Sequence, residues 1–269
     1  MAGVIGHPIR HSLSPAIHNA AYRALGLDWL FCAFDVPPGR AAEAVAGARF
    51  LGIEGLSVTM PHKAGVIPAL ERLTPVAAAL GAVNTIVRLG DELVGDNTDG
   101  AGFLDTVRVD EGFDPAGRRC LVLGAGGAAR AVVLALAGAG ASEIVVVNRT
   151  ADKAEAAVGL VPGLARTGQA GEAGSADLVV NATPLGMGGG GPLPLDPAVL
   201  GPGQLVVDLV YHPAVTPLVE AARARGAAAA NGLGMLIHQA AHAIRLWTGE
   251  DPPTEVMSAA ALSVLTRRD

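Results

Sequence analysis

Leu121-Val122-Leu123-Gly124-Ala125-Gly126-Gly127-Ala128-Ala129-Arg130 is the most informative segment of the chain. Its apolar start predicts a buried strand, and the alanine-rich run that follows the glycines predicts a helix. In the G-x-G-x-x-A pattern, Gly124 permits a tight turn, Gly126 lets the backbone approach a pyrophosphate, and Ala129 allows close helix–strand packing. The helix N-terminus supplies unpaired N–H groups for phosphates. The segment therefore predicts a dinucleotide-binding unit.

The end of the next predicted strand, residues 144–147, indicates which dinucleotide is bound. An NAD site presents an acidic side chain to the ribose 2′-hydroxyl about 20 residues beyond the glycine loop. This chain has Asn148-Arg149-Thr150 there, with Lys153 one turn later. Arg149 can pair with a 2′-phosphate through its planar guanidinium, and Lys153 can add a second positive charge. An ordinary surface arginine is the alternative, and Asp152 weakens the positive field, but together the residues favour NADP.

The composition of the 269-residue chain bounds its class. With 51% apolar and 16% charged residues, it is typical of a globular protein with two domains or one large α/β domain. The net charge of −6 and the aromatic content of 3% argue against a nucleic-acid partner. The most apolar segment, residues 128–141, is too short to span a bilayer. We expect a cytoplasmic protein without a membrane partner that acts on a small molecule, as a monomer or a homodimer.

The cysteines and histidines predict no further chemistry. Cys32 and Cys120 lie in apolar runs, which favours buried free thiols over a disulfide. His238 and His242 are spaced to share a helix face, but the glutamate of the zinc-protease motif is missing. No metal site is therefore predicted.

Short β-rich runs alternate with alanine-rich stretches, which predicts βαβ units and a mostly parallel sheet. Residues 63–70 are expected to form a short helix, and residues 82–89 and 92–95 to form a hairpin. Residues 163–174 and 186–197 have the composition of loops.

The first series of elements ends near residues 98–102, and a second series begins near Gly117. We expect the C-terminal helices to pack back on the first domain. The predicted domains are residues 1–100 with 236–269, and residues 101–235.

Polar segments interrupt the predicted elements of the first domain. Ser12-Leu13-Ser14-Pro15 opens a helix, and local chemistry favours Ser14 as an N-cap over a ligand for a carboxylate. Hydroxyl, amide, ammonium and carboxylate groups occur in three further segments: Gly55-Leu56-Ser57-Val58-Thr59-Met60-Pro61-His62-Lys63, Gly81-Ala82-Val83-Asn84-Thr85 and Asp96-Asn97-Thr98-Asp99-Gly100. Taken singly, each of these residues could equally be a turn or cap residue or a ligand. Ligands of open α/β sheets nevertheless bind at the carboxyl ends of strands.

Taken together, the segments resemble the shikimate dehydrogenase family. The matching blocks run in order along nearly the whole chain: S-L-S-P, S-V-T-x-P-x-K, G-A-V-N-T, N-T-D-G, G-A-G-G-A, N-R-T-x-x-K, N-A-T-x-x-G-M from Asn181, D-x-x-Y from Asp208 and G-x-x-M-L-x-x-Q-A from Gly232. The chain differs at Ser57, where the family usually has Asn, and at Pro75, where it often has an acidic residue. Serine reaches less far than asparagine, so Ser57 would change a detail of the hydrogen bonding to the substrate. Pro75 would lack a small role that the acidic residue has in the domain cleft.

The resemblance implies a Rossmann-type doubly wound NADP-binding domain and a smaller α/β substrate domain, with the active site in the cleft between them. It implies that shikimate is surrounded by Ser12, Ser14, Thr59, Lys63, Asn84, Asp99, Tyr211 and Gln239. It also implies that NADP lies along Gly124, Ala125, Gly126, Gly127, Ala128, Asn148, Arg149, Thr150, Lys153, Thr183, Leu209, Gly232 and Met235.

The implied reaction is the reversible reduction of 3-dehydroshikimate to shikimate, which requires a positioned hydride and a managed proton. Lys63 is the best candidate for the general acid and base, because a partly buried ammonium shifts its pKa readily. Asp99 is its expected partner, and Ser12 and Ser14 would hold the substrate carboxylate. The alternatives are a quinate/shikimate dehydrogenase with broader substrate or NAD use, and a sensor that binds the nucleotide without turnover.

Overall fold

The computed structural model describes residues 1–267 and shows an α/β protein, as predicted. It divides into two compact units: unit 1 comprises Met1–Thr98 and the chain from Ile237 onward, and unit 2 comprises Asp99–Leu236. The strands are β1 (Ala2–Gly6), β2 (Phe31–Asp35), β3 (Gly55–Val58), β4 (Arg72–Leu73), β5 (Thr85–Leu89), β6 (Glu92–Asp96), β7 (Arg119–Leu123), β8 (Glu143–Val147), β9 (Ala165–Thr167), β10 (Leu178–Asn181), β11 (Leu205–Asp208) and β12 (Ala228–Asn231). The helices are α1 (Ser14–Ala24), α2 (Ala41–Phe50), α3 (Pro75–Leu80), α4 (Asp99–Asp105), α5 (Gly127–Gly138), α6 (Ala151–Val158), α7 (Pro217–Ala224), α8 (Leu233–Thr248) and α9 (Thr254–Leu265). No helix within residues 1–267 has the length and apolar character needed to cross a membrane.

Unit 1 contains a mixed sheet with the strand order β2-β1-β3-β5-β6-β4. β1 is parallel to its neighbours β2 and β3, as expected for βαβ units. β5 is antiparallel to both β3 and β6. The tight turn at Gly90-Asp91 accounts for the β5–β6 pair, because it joins these two strands directly. The predicted hairpin is confirmed, although its first strand begins at Thr85 rather than at residue 82.

An aromatic cluster forms part of the interior of unit 1. Trp247 from α8 packs flat on Gly55, where an added Cβ would lie 2.5 Å from the indole ring. The indole Nε1 donates a hydrogen bond to the Ile86 carbonyl at 3.0 Å. His18 stacks on Phe31 with 3.9 Å between ring centroids, and the Trp247 ring lies 5.6 Å from His18. The cluster attaches α8 to the middle of the sheet, since Gly55 and Ile86 belong to β3 and β5.

Unit 2 contains an entirely parallel sheet with the order β12-β11-β10-β7-β8-β9. In chain order from β7, this is the 3-2-1-4-5-6 arrangement of the dinucleotide-binding fold. The Rossmann-type prediction is therefore confirmed. The order places β7 between β8 and β10, at the point where the chain changes direction across the sheet.

Side chains of β7 alternate between two buried layers. Cys120 and Val122 pack in the cluster that contains α5, while Leu121 and Leu123 pack in the cluster that contains α7. Because helices cover both faces, the strand needs no polar residue along its length. This explains why the strand is apolar from Cys120 to Leu123, after the partly exposed Arg119 at its start.

Some predicted elements differ from the structure. Residues 63–70 form turns and one 3₁₀ segment, Ile67–Ala69, instead of a helix. The region 163–174, expected to be a loop, contains β9 and most of a 3₁₀ segment, Ala170–Ser175. Helix α4, which continues into a π-helical turn at Thr106–Asp110, was not predicted from the sequence.

Candidate active site

Three segments of unit 1 meet at one edge of its sheet. β1 and β3 end there, and antiparallel β5 begins there, so the segments after Gly6 and Val58 adjoin Asn84. The backbone N–H of Val58 donates to the Asn84 carbonyl at 2.7 Å. The N–H of His7 donates to the Met60 carbonyl at 2.9 Å, which joins the turns after β1 and β3. The fold therefore places side by side the polar segments after β1, after β3 and before β5, which are far apart in the sequence.

Thr59 is oriented by its contact with Gly6. A Cβ at Gly6 would lie 2.4 Å from Cγ2 of Thr59, so the threonine methyl fills the space above the glycine. The Thr59 N–H donates to the Ile5 carbonyl at 3.0 Å and fixes the backbone. Gly6 is therefore required for the close approach of these two strand ends.

Asn84 is buried, and its side-chain amide is held by neighbouring polar groups. Its Oδ1 accepts hydrogen bonds from the Thr98 N–H at 2.8 Å and the Thr85 hydroxyl at 2.9 Å. Its Nδ2 donates to the Thr98 hydroxyl at 3.0 Å. The Thr98 hydroxyl donates in turn to the Gln239 carbonyl at 3.1 Å, which links α8 to this sheet edge. Asn84 is therefore presented in one orientation.

Lys63 lies half-buried in the turn after β3. Its carbonyl accepts a hydrogen bond from the Val83 N–H at 2.8 Å, so its backbone is fixed beside the segment that carries Asn84. The turn replaces the predicted helix, because Lys63 uses its carbonyl for this contact rather than for a helical bond.

The serines before and in α1 behave differently from the prediction. Ser14 was expected to cap α1, but it is the first helical residue and its side chain makes no capping bond. Instead, Ser12 Oγ accepts a hydrogen bond from the Ser14 N–H at 3.2 Å. The N-cap interpretation of Ser14 is wrong, and the Ser14 hydroxyl lies at the buried end of a helix whose first turn carries no acidic residue.

The glycine loop of unit 2 has the predicted conformation. Gly124 has φ of 109°, and an added Cβ there would lie 2.8 Å from the Ala182 carbonyl oxygen. Gly126 and Gly127 are exposed at the start of α5, with open space where a Cβ would stand. Ala129 is fully buried against the sheet. The tight turn at Gly124 and the packing of Ala129 are therefore as predicted, and the backbone of Gly126 is accessible.

The residues after β8 form a positively charged surface beside this loop. Asn148 Nδ2 donates to the Thr150 carbonyl at 2.9 Å, which shapes the turn into α6. Arg149, Thr150 and Lys153 are exposed. Neither Arg149 nor Lys153 forms an ion pair with any residue of the described chain. Both charges are therefore available to an external anion.

A buried polar network lies where β10 and β11 end. This network was not predicted from the sequence. Asp208 is fully buried and accepts hydrogen bonds from Asn181 Nδ2 at 2.8 Å and the Thr216 hydroxyl at 2.6 Å. Burial raises the pKa of the Asp208 carboxyl, while these donors oppose the rise. Thr183 joins the network through Asn181. One feature of the sequence could have indicated this network: β10 and β11 are each apolar until their last residue, Asn181 or Asp208.

The remaining predicted residues of unit 2 lie on neighbouring segments. A Cβ at Gly232 would lie 2.0 Å from the Leu209 carbonyl oxygen, so these two backbones touch. Met235 is buried in the core beside α5, and Tyr211 is half-buried after β11. Asp99 is the buried first residue of α4 and belongs to unit 2, whereas Lys63 belongs to unit 1. Across residues 1–267, no group of histidine, cysteine and acidic side chains is arranged to hold a metal ion.

Comparisons with known proteins match three parts of the chain to related family models. Residues 4–86 match the family model described as shikimate dehydrogenase substrate binding domain. Residues 109–182 match the model described as shikimate/quinate 5-dehydrogenase, and residues 232–262 match the shikimate 5′-dehydrogenase C-terminal domain.

Individual relatives match over almost the full length. Shikimate dehydrogenase (NADP(+)) from Geobacter metallireducens is 46% identical, and the match covers 98% of this chain and 96% of the relative. The crystal structure of shikimate 5-dehydrogenase from Thermus thermophilus in complex with NADP(H) and shikimate is 39% identical, with a TM-score of 0.92 over 98% of this chain and 99% of that chain. Quinate dehydrogenase from Corynebacterium glutamicum in complex with NAD is 32% identical, with a TM-score of 0.90 over 97% and 98%. The chain therefore belongs to the shikimate dehydrogenase family.

Proposed function

We propose that the protein is an NADP-dependent oxidoreductase that catalyses the reversible reduction of 3-dehydroshikimate to shikimate. The observation that carries this proposal is the pair of unpaired charges, Arg149 and Lys153, beside an intact dinucleotide loop in a member of this family. The relatives named as NADP(+) enzymes support the same cofactor.

Most of the proposed substrate residues lie in unit 1, near the sheet edge described above, and Asp99 and Tyr211 lie in unit 2. A polyol acid requires donors for its carboxylate and paired donors and acceptors for its hydroxyls. Ser12 and Ser14 lie at the start of α1, where the helix dipole favours an anion, and we assign them to the carboxylate. We assign the hydroxyl pattern to Thr59, Asn84, Asp99, Tyr211 and Gln239, together with Lys63.

The residues of unit 2 suit NADP. The exposed Gly126–Gly127 backbone offers N–H groups to a pyrophosphate without obstruction by side chains, and we assign Gly124, Ala125 and Ala128 to the same loop contact. Arg149 and Lys153 fit a 2′-phosphate, with Asn148 and Thr150 shaping the turn that carries them. We place Thr183, Leu209, Gly232 and Met235 along the rest of the cofactor. When bound, NADPH supplies the hydride.

Lys63 and Asp99 are proposed to manage the proton. In the direction of reduction, Lys63 Nζ would donate a proton to the substrate oxygen, and it would accept the proton in the reverse direction. Asp99 would orient the ammonium and bind an adjacent substrate hydroxyl.

The two units are proposed to bind mainly different ligands. Unit 1 would supply most of the substrate residues, and unit 2 would bind the dinucleotide and contribute Asp99 and Tyr211 to the substrate. We propose a cytoplasmic location and an assembly that is a monomer or a homodimer.

The experiment is a spectrophotometric assay of NADPH formation from NADP+ and shikimate at alkaline pH. Parallel reactions contain quinate in place of shikimate, or NAD+ in place of NADP+. We expect kcat/KM to be highest for shikimate with NADP+. A preference for quinate or NAD+ would overturn the assigned substrate or cofactor, and tight NADP+ binding without turnover of either acid would identify a sensor.

A further inference from the structure

Asp208 is a buried carboxylate without a charged partner among the described residues. It lies at the carboxyl end of β11 and accepts hydrogen bonds from Asn181 Nδ2 at 2.8 Å, the Val210 N–H at 3.1 Å and the Thr216 hydroxyl at 2.6 Å. A buried charge is costly unless several donors hold it. An ionised carboxylate accepts hydrogen bonds and donates none, so it orders the donor groups around it.

The first group ordered by Asp208 is the Asn181 amide. Asn181 and Asp208 are register partners on adjacent strands, β10 and β11. Because an ionised carboxylate only accepts, Asn181 must turn its Nδ2 toward Asp208 and its Oδ1 away from it. Asn181 Oδ1 then accepts from the Thr183 N–H at 3.1 Å and from the Thr183 hydroxyl at 2.6 Å.

This arrangement fixes the hydrogen-bonding polarity of Thr183. Its hydroxyl proton is used by Asn181, and one lone pair accepts from the Leu185 N–H at 3.2 Å. A hydroxyl has one proton and two lone pairs. The half-buried Thr183 can therefore offer a ligand one acceptor position and no donor.

The sheet order shows which part of a dinucleotide this acceptor faces. The glycine loop follows β7, with β8 on one side and β10 on the other. Arg149 and Lys153 follow β8, so the 2′-phosphate and adenosine lie on that side of the loop. Ala182 and Thr183 touch Gly124 from the opposite side. The nicotinamide half, which continues beyond the pyrophosphate, lies toward Thr183.

We propose that Asp208 and Asn181 are positioning residues that hold Thr183 as a hydrogen-bond acceptor for a donor on the nicotinamide half of NADP. The donor is a ribose hydroxyl or the carboxamide N–H. The inference rests on the proposed function only in requiring that unit 2 binds NADP.

The test compares the affinities of two ligands by isothermal titration in the absence of substrate. NADP+ carries the nicotinamide half, and 2′-phospho-ADP lacks it. Asn181→Ala is expected to weaken NADP+ roughly tenfold, which corresponds to about 1.4 kcal/mol. Its affinity for 2′-phospho-ADP should stay within about twofold of the unmutated protein, because the adenosine side is untouched.

Thr216→Val is the matched control. It removes another hydrogen bond of the same carboxylate and the cap of α7, where Thr216 Oγ1 accepts from the Val219 N–H. We expect a comparable loss of stability in urea and no selective loss of NADP+ affinity. Equal weakening of both ligands by Asn181→Ala, or a selective NADP+ loss in Thr216→Val, would overturn the inference and leave the network a structural one.

Thr183 provides a second route if Asn181→Ala does not fold. Thr183→Val should lose NADP+ affinity selectively, and Thr183→Ser should restore it because the hydroxyl returns. The 3-acetylpyridine analogue of NADP+ lacks the carboxamide N–H, so a Thr183→Val effect that persists with it assigns the donor to the ribose. If the unmutated protein binds both 2′-phospho-ADP and NADP+, and every variant binds them with the same affinities, this inference fails while the proposed function stands. If it binds neither ligand, the proposed function fails as well.

Discussion

At the scale of single residues, Lys63 allows a sharp separation of chemistry from binding. Lys63→Met removes the ammonium and keeps the length of the side chain. We expect kcat to fall by about 10²–10⁴-fold, the usual contribution of a general acid or base, while the Kd of NADP+ is unchanged. Steady-state kinetics and calorimetric titration measure the two quantities.

Lys153→Met is the natural control, because Lys153 is the other lysine in the chain. It should weaken NADP+ relative to NAD+ and leave kcat at saturating cofactor intact. A Lys63→Met protein that loses NADP+ binding together with its fold would instead show that Lys63 is structural.

His18 makes the stability of unit 1 depend on pH. Burial lowers its pKa from 6.5 to about 4, and its Nε2 has no hydrogen-bond partner within the described residues. Above pH 6.5 both folded and unfolded forms are neutral. As the pH falls toward 4, the unfolded chain binds a proton that the folded chain excludes, so stability is lost.

Between pH 7 and pH 5 this effect costs about 2 kcal/mol. His18→Phe keeps the stacking on Phe31 and cannot titrate, so it should lose that much less stability over the same interval. Urea unfolding followed by tryptophan fluorescence reports on unit 1, because Trp29 and Trp247 both lie there. Parallel losses in the two proteins would show that other groups control the pH response.

Residues inside motifs could be predicted from sequence, whereas partnerships between strands could not. The roles of Gly124, Gly126 and Ala129 follow from their spacing alone. The contact of Asn181 with Asp208 depends on the register of β10 against β11, which no local pattern encodes. The N-cap prediction for Ser14 failed because Ser12, two residues earlier, supplies the hydrogen bond to the start of the helix.

At the scale of elements, the packing of α8 on the unit 1 sheet requires Gly55. Gly55→Ala would place a methyl 2.5 Å from the Trp247 ring, and neither the strand nor the indole can move freely. We expect a loss of about 1–3 kcal/mol in the free energy of unfolding, as for other overpacked cores.

Gly47→Ala is the control for this substitution. Gly47 lies inside α2, and nothing stands within 4 Å of the added methyl. It should stabilise the protein by about 0.5–1 kcal/mol through helix propensity. A neutral Gly55→Ala in the same urea series would mean that α8 adjusts its position.

An element with a β-branched sequence could be predicted well, since the strand expected at residues 144–147 is β8 at Glu143–Val147. Residues 63–70 could not, because Val83 binds the Lys63 carbonyl and competes with a helix. Helix α4 was missed because its sequence, with two glycines in seven residues, has poor helix propensity. Its Gly100 approaches the Ala131 carbonyl of α5 closely, so tertiary packing supports it instead.

At the scale of the whole molecule, hydrogen exchange can test the assignment of ligands to units. 2′-Phospho-ADP should slow amide exchange around the turn between β7 and α5 and at the start of α6. Residues 1–98 should exchange at the unliganded rate. Mass spectrometry of peptides from both units measures this, and protection confined to residues 1–98 would contradict the assignment.

The class of the fold could be predicted from the alternation of strands and helices, but the strand orders could not. The glycine loop indicated the dinucleotide-binding topology of unit 2, because a predicted strand precedes the motif and a predicted helix follows it. The antiparallel β5 in unit 1 depends on which strands become neighbours, a choice made by long-range packing.

The scarcity of lysine has a practical consequence for spectroscopy. Unit 1 holds Lys63 and unit 2 holds Lys153, and the remaining primary amine is the chain's α-amino group. Reductive methylation with ¹³C-formaldehyde therefore places a single lysine reporter in each unit. One heteronuclear spectrum would then display the occupancy of the polyol site and of the 2′-phosphate site as separate resonances, in a protein without any engineered label.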